Sequence, residues 1–254
     1  MNTYRAIFSY DGSGFFGWQK QPEQKTIQGS IEEVLFTLNK SKDVQVIGCG
    51  RTDAGVHAIK QVTKITMPLS MDAQSLKKAL NSLLDLQIRC SHVEKCEESF
   101  QPVFDATTKS YRYYFLMNEV MNPHYSKKMT HIKKKLDINK MHEALCLFVG
   151  EKDFINFSTK GTPVKTTVRE VFSFTLKKSE HRDFLEHENN IYYFEITGSG
   201  FLKQMVRLLV SAVFSYGEGK INEQDIASYF AEEKSDKLAP TAPPDGLYLY
   251  NVTY

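Results

Sequence analysis

The stretch GCGRTDAGVHA, residues 48–58, sets one carboxylate, Asp53, in a glycine-punctuated loop directly after the short strand pattern Val44–Ile47. Loops at strand ends, held by a rigid scaffold, are where reactive side chains tend to sit. A carboxylate there serves as nucleophile or base, or it only stabilises a turn or caps a helix. Asp11, in YDGSGFFGWQ, is the rival acid, but Asp-Gly after a strand is a common turn signal. A second chemical clue is GFLKQMVRLLVSAVF, residues 200–214, apolar nearly all round and expected to be a buried helix. It carries Lys203 and Arg207, one helical turn apart and so on one face. Lys203 can reach solvent along its stem. Arg207, among Met205, Val206, Leu208 and Leu209, is expected to be buried and to need an acceptor. Either it forms a stabilising ion pair with some Asp or Glu, or it faces a catalytic acid, which its guanidinium would hold ionised and oriented. Asp53 is the best candidate for that acid.

Two sets of elements have to position these residues. In the first, Tyr4–Tyr10 alternates as a strand, and a helix follows with Ile27, Ile31, Val34, Leu35 and Leu38 on one face. Then come strand 44–47, a strand near Gln61–Met67, a helix with Leu76, Leu80, Leu83 and Leu84 on one face, and a strand near Leu86–Val93. That order, β-α-β-β-α-β, is the ferredoxin-like pattern. The second set repeats it: an aromatic strand at Ser110–Met117, a helix from about Ile138 to Phe148, strands near Arg169–Lys177 and Ile191–Thr197, the apolar helix, and a closing strand at Leu247–Thr253. Asn222 is expected to cap a short helix with Asp225 three residues on. The expected fold class is α+β: two ferredoxin-like (RRM-like) halves, 1–106 and 107–254, with a mixed, mostly antiparallel central sheet. RNA-binding modules of this pattern lay single-stranded RNA on the open sheet face, although a fold alone does not give a function.

Composition narrows the classes. With 41% apolar and 24% charged residues over 254, the chain reads as an ordinary globular protein able to bury a sizeable core. No run of about 18 apolar residues and no signal-peptide pattern occur, so a cytosolic protein without a membrane partner is expected. Cys49, Cys90, Cys96 and Cys146 form no C-x-x-C pair, so they read as reduced, mostly buried thiols with no metal. His181 and His187 fall in an acidic stretch expected to be solvated. The net charge of +2 is too mild to prove a nucleic-acid partner. Its distribution says more: Lys127, Lys128, His131, Lys133, Lys134 and Lys135 crowd one segment, with Lys160, Lys165 and Arg169 following. That run is either a solvated charged loop or an RNA contact.

GRTDAGVHA resembles the signature loop of the tRNA pseudouridine synthase A family. The resemblance extends through YDGSGFFGWQKQPEQKTIQGSIEEVL (10–35), KSYRYYF (109–115), GEKDFINFS (150–158), GFLKQMVRLLV (200–210) and APPDGLYL (242–249), in the family's order. It implies the pseudouridine synthase fold, two ferredoxin-like halves around a cleft. It also implies an enzyme that isomerises uridine to pseudouridine in tRNA, usually at positions 38 to 40 of the anticodon arm. No metal or cofactor is implied, and the family acts as a homodimer. Residue by residue, Asp53 matches the family's catalytic aspartate. Tyr111 matches the tyrosine that stacks on the target uracil, and Arg207 the arginine that pairs with the aspartate. Arg51 and His57 flank the aspartate and are expected to contact RNA or shape the loop. Leu247 resembles a residue lining the base pocket, against a plain core role. Lys203 is a candidate substrate contact.

The chain departs from the family in places. Lys60 stands where glycine is usual, SFQPVFDA (99–106) replaces a segment with a common His and Arg, and Leu208 and Ser211 replace frequent Asn and Gly. These changes bear on RNA contacts more than on chemistry. The alternative reading is a catalytically silent RNA-binding or tRNA-chaperone module on the same fold, which has no need of Asp53, Tyr111 and Arg207 together. An aspartyl phosphotransferase would want a second acid and Mg²⁺, and YDGSG lacks that acid. Synthases for ribosomal RNA usually present G-R-L-D where this chain has Gly50-Arg51-Thr52-Asp53.

Overall fold

The computed structural model describes residues 1–117, 120–159, 164–179 and 190–254. They divide into two compact units, Met1–Thr107 with Tyr248–Tyr254, and Thr108–Leu247.

In the first unit, β1 (Asn2–Tyr10) buries Tyr4, Ala6, Phe8 and Tyr10 on one face, as its alternation predicts. Helix α1 (Ile27–Asn39) is capped by Thr26, whose hydroxyl accepts from the Gly29 N–H, and it buries Ile27, Ile31 and Leu35. Strands β2 (Gln45–Gly48) and β3 (His57–Met67) follow, then α2 (Ala73–Leu83), capped by Asp72, and β4 (Ile88–Lys95). The strand order is β4-β1-β3, with β2 on β3, all antiparallel. Leu76 and Leu80 are fully buried, each worth roughly 1.5–3 kcal/mol of burial. Leu83, expected on the same face, is half exposed, because α2 ends there and Leu84 turns inward instead.

The second unit holds β5 (Thr108–Met117), the short β6 (Thr130–Ile132) parallel to it, α3 (Ile138–Cys146), β7 (Gly150–Asp153), β8 (Val168–Lys178), β9 (Ile191–Gly198), α4 (Met205–Gly217) and α5 (Glu223–Ala231). Its strands run β5-β9-β8-β7, antiparallel throughout. Phe115, Phe194 and Phe214 pack ring against ring at 5.0–5.5 Å beneath α4. Asn222 and Asp225 form the expected capping box on α5.

Two differences from the sequence reading matter. The closing strand β10 (Leu247–Thr253) pairs in parallel with β3, Tyr248 opposite His57, so from Tyr248 onward it belongs to the first unit and not to the second half. The apolar helix begins at Met205, not near Gly200. Gln204 is left-handed at φ 61°, and the Lys203 carbonyl accepts from the Thr159 N–H at 3.0 Å. Lys203 therefore lies in the turn before α4 and shares no helical face with Arg207. His181, His187 and Lys160 lie outside the described residues.

Candidate active site

The loop between β2 and β3 is anchored along its length within the first unit. At its root, the fully buried Gln61 donates its Nε2 to the Gly50 carbonyl at 2.7 Å, and its Oε1 accepts from the Cys49 thiol at 3.3 Å. In the middle, the buried Thr52 shares a 2.8 Å hydrogen bond between its hydroxyl and that of Tyr10, and its carbonyl accepts from the Trp18 N–H at 3.0 Å. The Gly55 N–H donates to the Phe15 carbonyl, and the Val56 N–H to the Asp53 carbonyl at 3.1 Å. Asp53 itself stays half-buried, with Arg51 exposed beside it. A carboxylate on so constrained a backbone is pre-positioned, and that is what a reacting group needs.

YDGSGFFGW supplies the other wall. A Cβ on Gly12 would lie 2.0 Å from the Val56 carbonyl oxygen, and one on Gly17, at φ +88°, 2.7 Å from the Thr52 carbonyl oxygen. Those glycines let the 12–18 backbone lie directly against the loop. Gly12→Ala is therefore expected to push the loop outward, destabilising the fold by about 1–3 kcal/mol. Turnover should fall with it, and thermal unfolding with an activity assay on the same preparation checks both. Asp11 is the turn residue its context suggests: it caps a short 3-10 turn and accepts from the Ser13 N–H and hydroxyl.

His57, expected to meet RNA or shape the loop, does the second. It is 1% exposed, so it offers no surface to RNA. Its Nδ1 accepts from the Gly12 N–H at 3.1 Å, with an Asp11 carboxylate oxygen at 3.2 Å. Its ring stacks on Tyr248 at 4.5 Å. His57 thus pins the far end of the loop to the 3-10 turn and to β10.

In the second unit, Tyr111 is buried on β5, opposite Ile196, with Phe201 edge-on to its ring at 5.2 Å. Arg207 is only half-buried, which corrects the expectation of a buried charge. Its Nε donates to the Ala242 carbonyl at 2.7 Å, and the Ala242 N–H returns a bond to the Arg207 carbonyl at 3.4 Å. Ala242, flanked by Pro240 and Pro243, therefore holds the Arg207 Nε. Lys203 is exposed, and Leu247 is buried at the start of β10.

Of the thiols, Cys49 and Cys90 are buried, Cys96 is half-buried and Cys146 exposed, so burial is less general than expected. Burial pushes the Cys90 thiol up to about 11, which keeps it from acting as a thiolate at neutral pH. Lys60 hydrogen-bonds Asn251 at 3.1 Å. Sequence reasoning missed Tyr10, Gln61 and Trp18 as supports of the loop. Their only signal was nearness to glycine-rich stretches, since a buried Gln or Tyr in a strand reads as plain core.

A family profile described as tRNA pseudouridine synthase matches residues 6–105 and 144–254, which leaves Tyr111 and the lysine run between the matched stretches. The chain is 39% identical over 256 residues to a tRNA pseudouridine synthase A of Thermodesulfovibrio yellowstonii, covering 100% of both proteins. It is 36% identical over 255 residues to one of Listeria monocytogenes serovar 1/2a, again covering 100% of both. To one of Oceanobacillus iheyensis it is 36% identical, covering 100% of this chain and 97% of the relative. A solved Cbf5-Nop10-Gar1 complex matches 83% of the chain and 54% of its own at a TM-score of 0.31 and 14% identity, too loosely to bear on the site.

Proposed function

The chain belongs to the tRNA pseudouridine synthase family, and on that premise we propose that Asp53 is the carboxylate with which it isomerises uridine in the anticodon arm of tRNA, at positions 38 to 40. The enzyme is an isomerase that converts uridine to pseudouridine in tRNA. The silent RNA-binding module gains no support from relatives named as synthases along their whole length.

The observation that carries the assignment of Asp53 is the loop itself. Buried side chains and backbone fix residues 50–57 from both ends, yet the one carboxylate among them stays half open to solvent. A turn-stabilising Asp needs no such support.

The reaction breaks the bond from ribose C1′ to uracil N1, turns the base, and rejoins C1′ to C5; the C5 proton is lost to solvent and N1 takes one up, so that product and substrate are isomers. The target uridine leaves its stack to reach the enzyme, at a cost of a few kcal/mol. Tyr111 stacks on the uracil, and Arg207 keeps the carboxylate charged and aimed; both roles rest on the motifs that match the family. Arg51 and Lys203, both exposed, are available to phosphates, whereas Leu247 bounds the base. A homodimer and a cytosolic location belong to the same proposal. No helix among the described residues is long and apolar enough to cross a membrane.

The test is to map the product. Unmodified tRNA treated with the enzyme is derivatised with a carbodiimide that marks pseudouridine and stops reverse transcription. Stops at positions 38 to 40 are expected. Stops confined to another arm would overturn the anticodon-arm assignment while leaving the activity intact.

A further inference from the structure

Among the described residues, the densest run of positive charge lies in the second unit, where Lys133, Lys134 and Lys135 follow β6. We propose that these lysines, with Lys140 and Lys220, form a docking surface for the ribose-phosphate backbone of the tRNA substrate. The proposal rests on the reading of the chain as a tRNA-modifying enzyme.

A solvated charge run needs no fixed backbone, and this one has it, beside a shallow open depression. The segment is pinned on either side. Ile132 pairs with Met117 across β6 and β5, and the buried Leu136 directs its N–H to the Met117 sulfur at 3.4 Å. The Asp137 N–H donates to the Gly217 carbonyl at 3.1 Å, and the Asp137 carboxylate caps α3 by accepting from Asn139 and Lys140. Lysines on such a backbone lose less freedom on binding than lysines on a loose loop.

The surface is also hollow. An open depression of about 690 Å³ is lined by Lys134, Lys135 and Lys220 with two carboxylates, Asp137 and Glu218, so its lining stays net positive. Glu218 holds two ammonium groups at once, Lys220 at 2.5 Å and Lys134 at 3.3 Å. Its hydrogen bond from Lys220, with a lesser one from Lys134, keeps its carboxyl below the usual range. One carboxylate offsets only one of those two charges. Lys133, Lys135 and Lys140 make no ion pair among the described residues, and the Asp137 carboxylate is engaged by its cap. A net positive hollow on a rigid frame matches a polyanion, whose binding releases condensed counterions.

The triple variant Lys133→Gln/Lys134→Gln/Lys135→Gln tests this, because all three side chains are exposed and their loss leaves the core untouched. Its Kd for an unmodified tRNA transcript is expected to rise about tenfold or more, and the slope of log K against log salt to fall by about two between roughly 50 and 200 mM. Turnover at saturating tRNA should stay at the wild-type value. Glu218→Gln should act in the opposite direction, with tighter binding and a steeper slope. A control triple in the first unit, Lys40→Gln/Lys42→Gln/Lys78→Gln, also exposed, should move neither quantity appreciably. Unchanged Kd and slope in the first triple would overturn the proposal, and so would an equal change in the control. Wild-type turnover reports separately on the functional reading: a wild type that binds tRNA but forms no pseudouridine contradicts that reading, whatever the lysines do.

Discussion

Asp53→Asn is expected to lower pseudouridine formation by about 10⁴-fold or more, the scale seen when a catalytic group is removed from an otherwise intact site. Binding of tRNA should remain within a few-fold of wild type. The two expectations belong together. Asn keeps the volume and hydrogen-bonding reach of Asp but cannot serve as nucleophile or base. The loop is expected to keep its shape, because it is held by bonds through Gly50, Thr52, Gly55, Val56 and His57 that do not use the Asp53 carboxylate. Single-turnover kinetics and filter binding on one preparation separate the two quantities. Matching losses in both would make Asp53 a structural residue.

The second large effect concerns Arg207. Arg207→Ala is expected to reduce turnover by about 10²- to 10³-fold, the scale of removing one preorganised charge-stabilising group from a reaction. Stability should change far less. Arg207 lies in the first turn of α4, where a cation opposes the helix dipole by about 0.3–1 kcal/mol. Its loss removes that penalty together with the charged hydrogen bond to Ala242, itself worth about 1.5–3 kcal/mol. From these two contributions the net is about 1–2 kcal/mol, a drop of a few degrees in a chain of this size. A cation in the first turn, tied to a proline-rich segment, is an arrangement that serves something other than helix stability. Wild-type turnover in this variant, measured alongside its melting curve, would remove Arg207 from the mechanism.

Much of the fold is legible in the sequence because burial imposes a period. The alternation of Tyr4, Ala6, Phe8 and Tyr10 and the helical spacing of Ile27, Ile31 and Leu35 are direct imprints of one buried face. The strands that escape notice are β6 and β7, of three and four residues, with little of their surface buried. Neither THI nor GEKD shows the run of apolar residues by which the equally short β2 is read. The start of α4 is hidden for a related reason. Gly200–Gln204 continues the apolar pattern, and only the left-handed backbone at Gln204 ends the helix there. Nothing in glutamine announces that conformation.

The candidate site divides in the same way. Asp53 stands out by glycine punctuation, and Arg207 by being a charge in an apolar run. The ordered motifs carry the assignment of Tyr111, since a tyrosine in an aromatic strand otherwise reads as core. His57 has two readings from sequence, RNA contact or loop shaping, and only its surroundings decide between them. The ring lies between the Gly12 N–H and Tyr248, which makes it a support of the loop. Its environment depends on β10, almost two hundred residues later in the chain, and local sequence cannot reveal so distant a partner.

The most direct measurement is tritium release from tRNA transcripts labelled at uridine C5, with wild type and Asp53→Asn side by side. Release that approaches the number of target uridines is expected with the wild type, and none above background with the variant. Release by Asp53→Asn at a comparable rate would contradict the assignment of the carboxylate. The absence of release by a wild type that still binds tRNA would contradict the reaction itself.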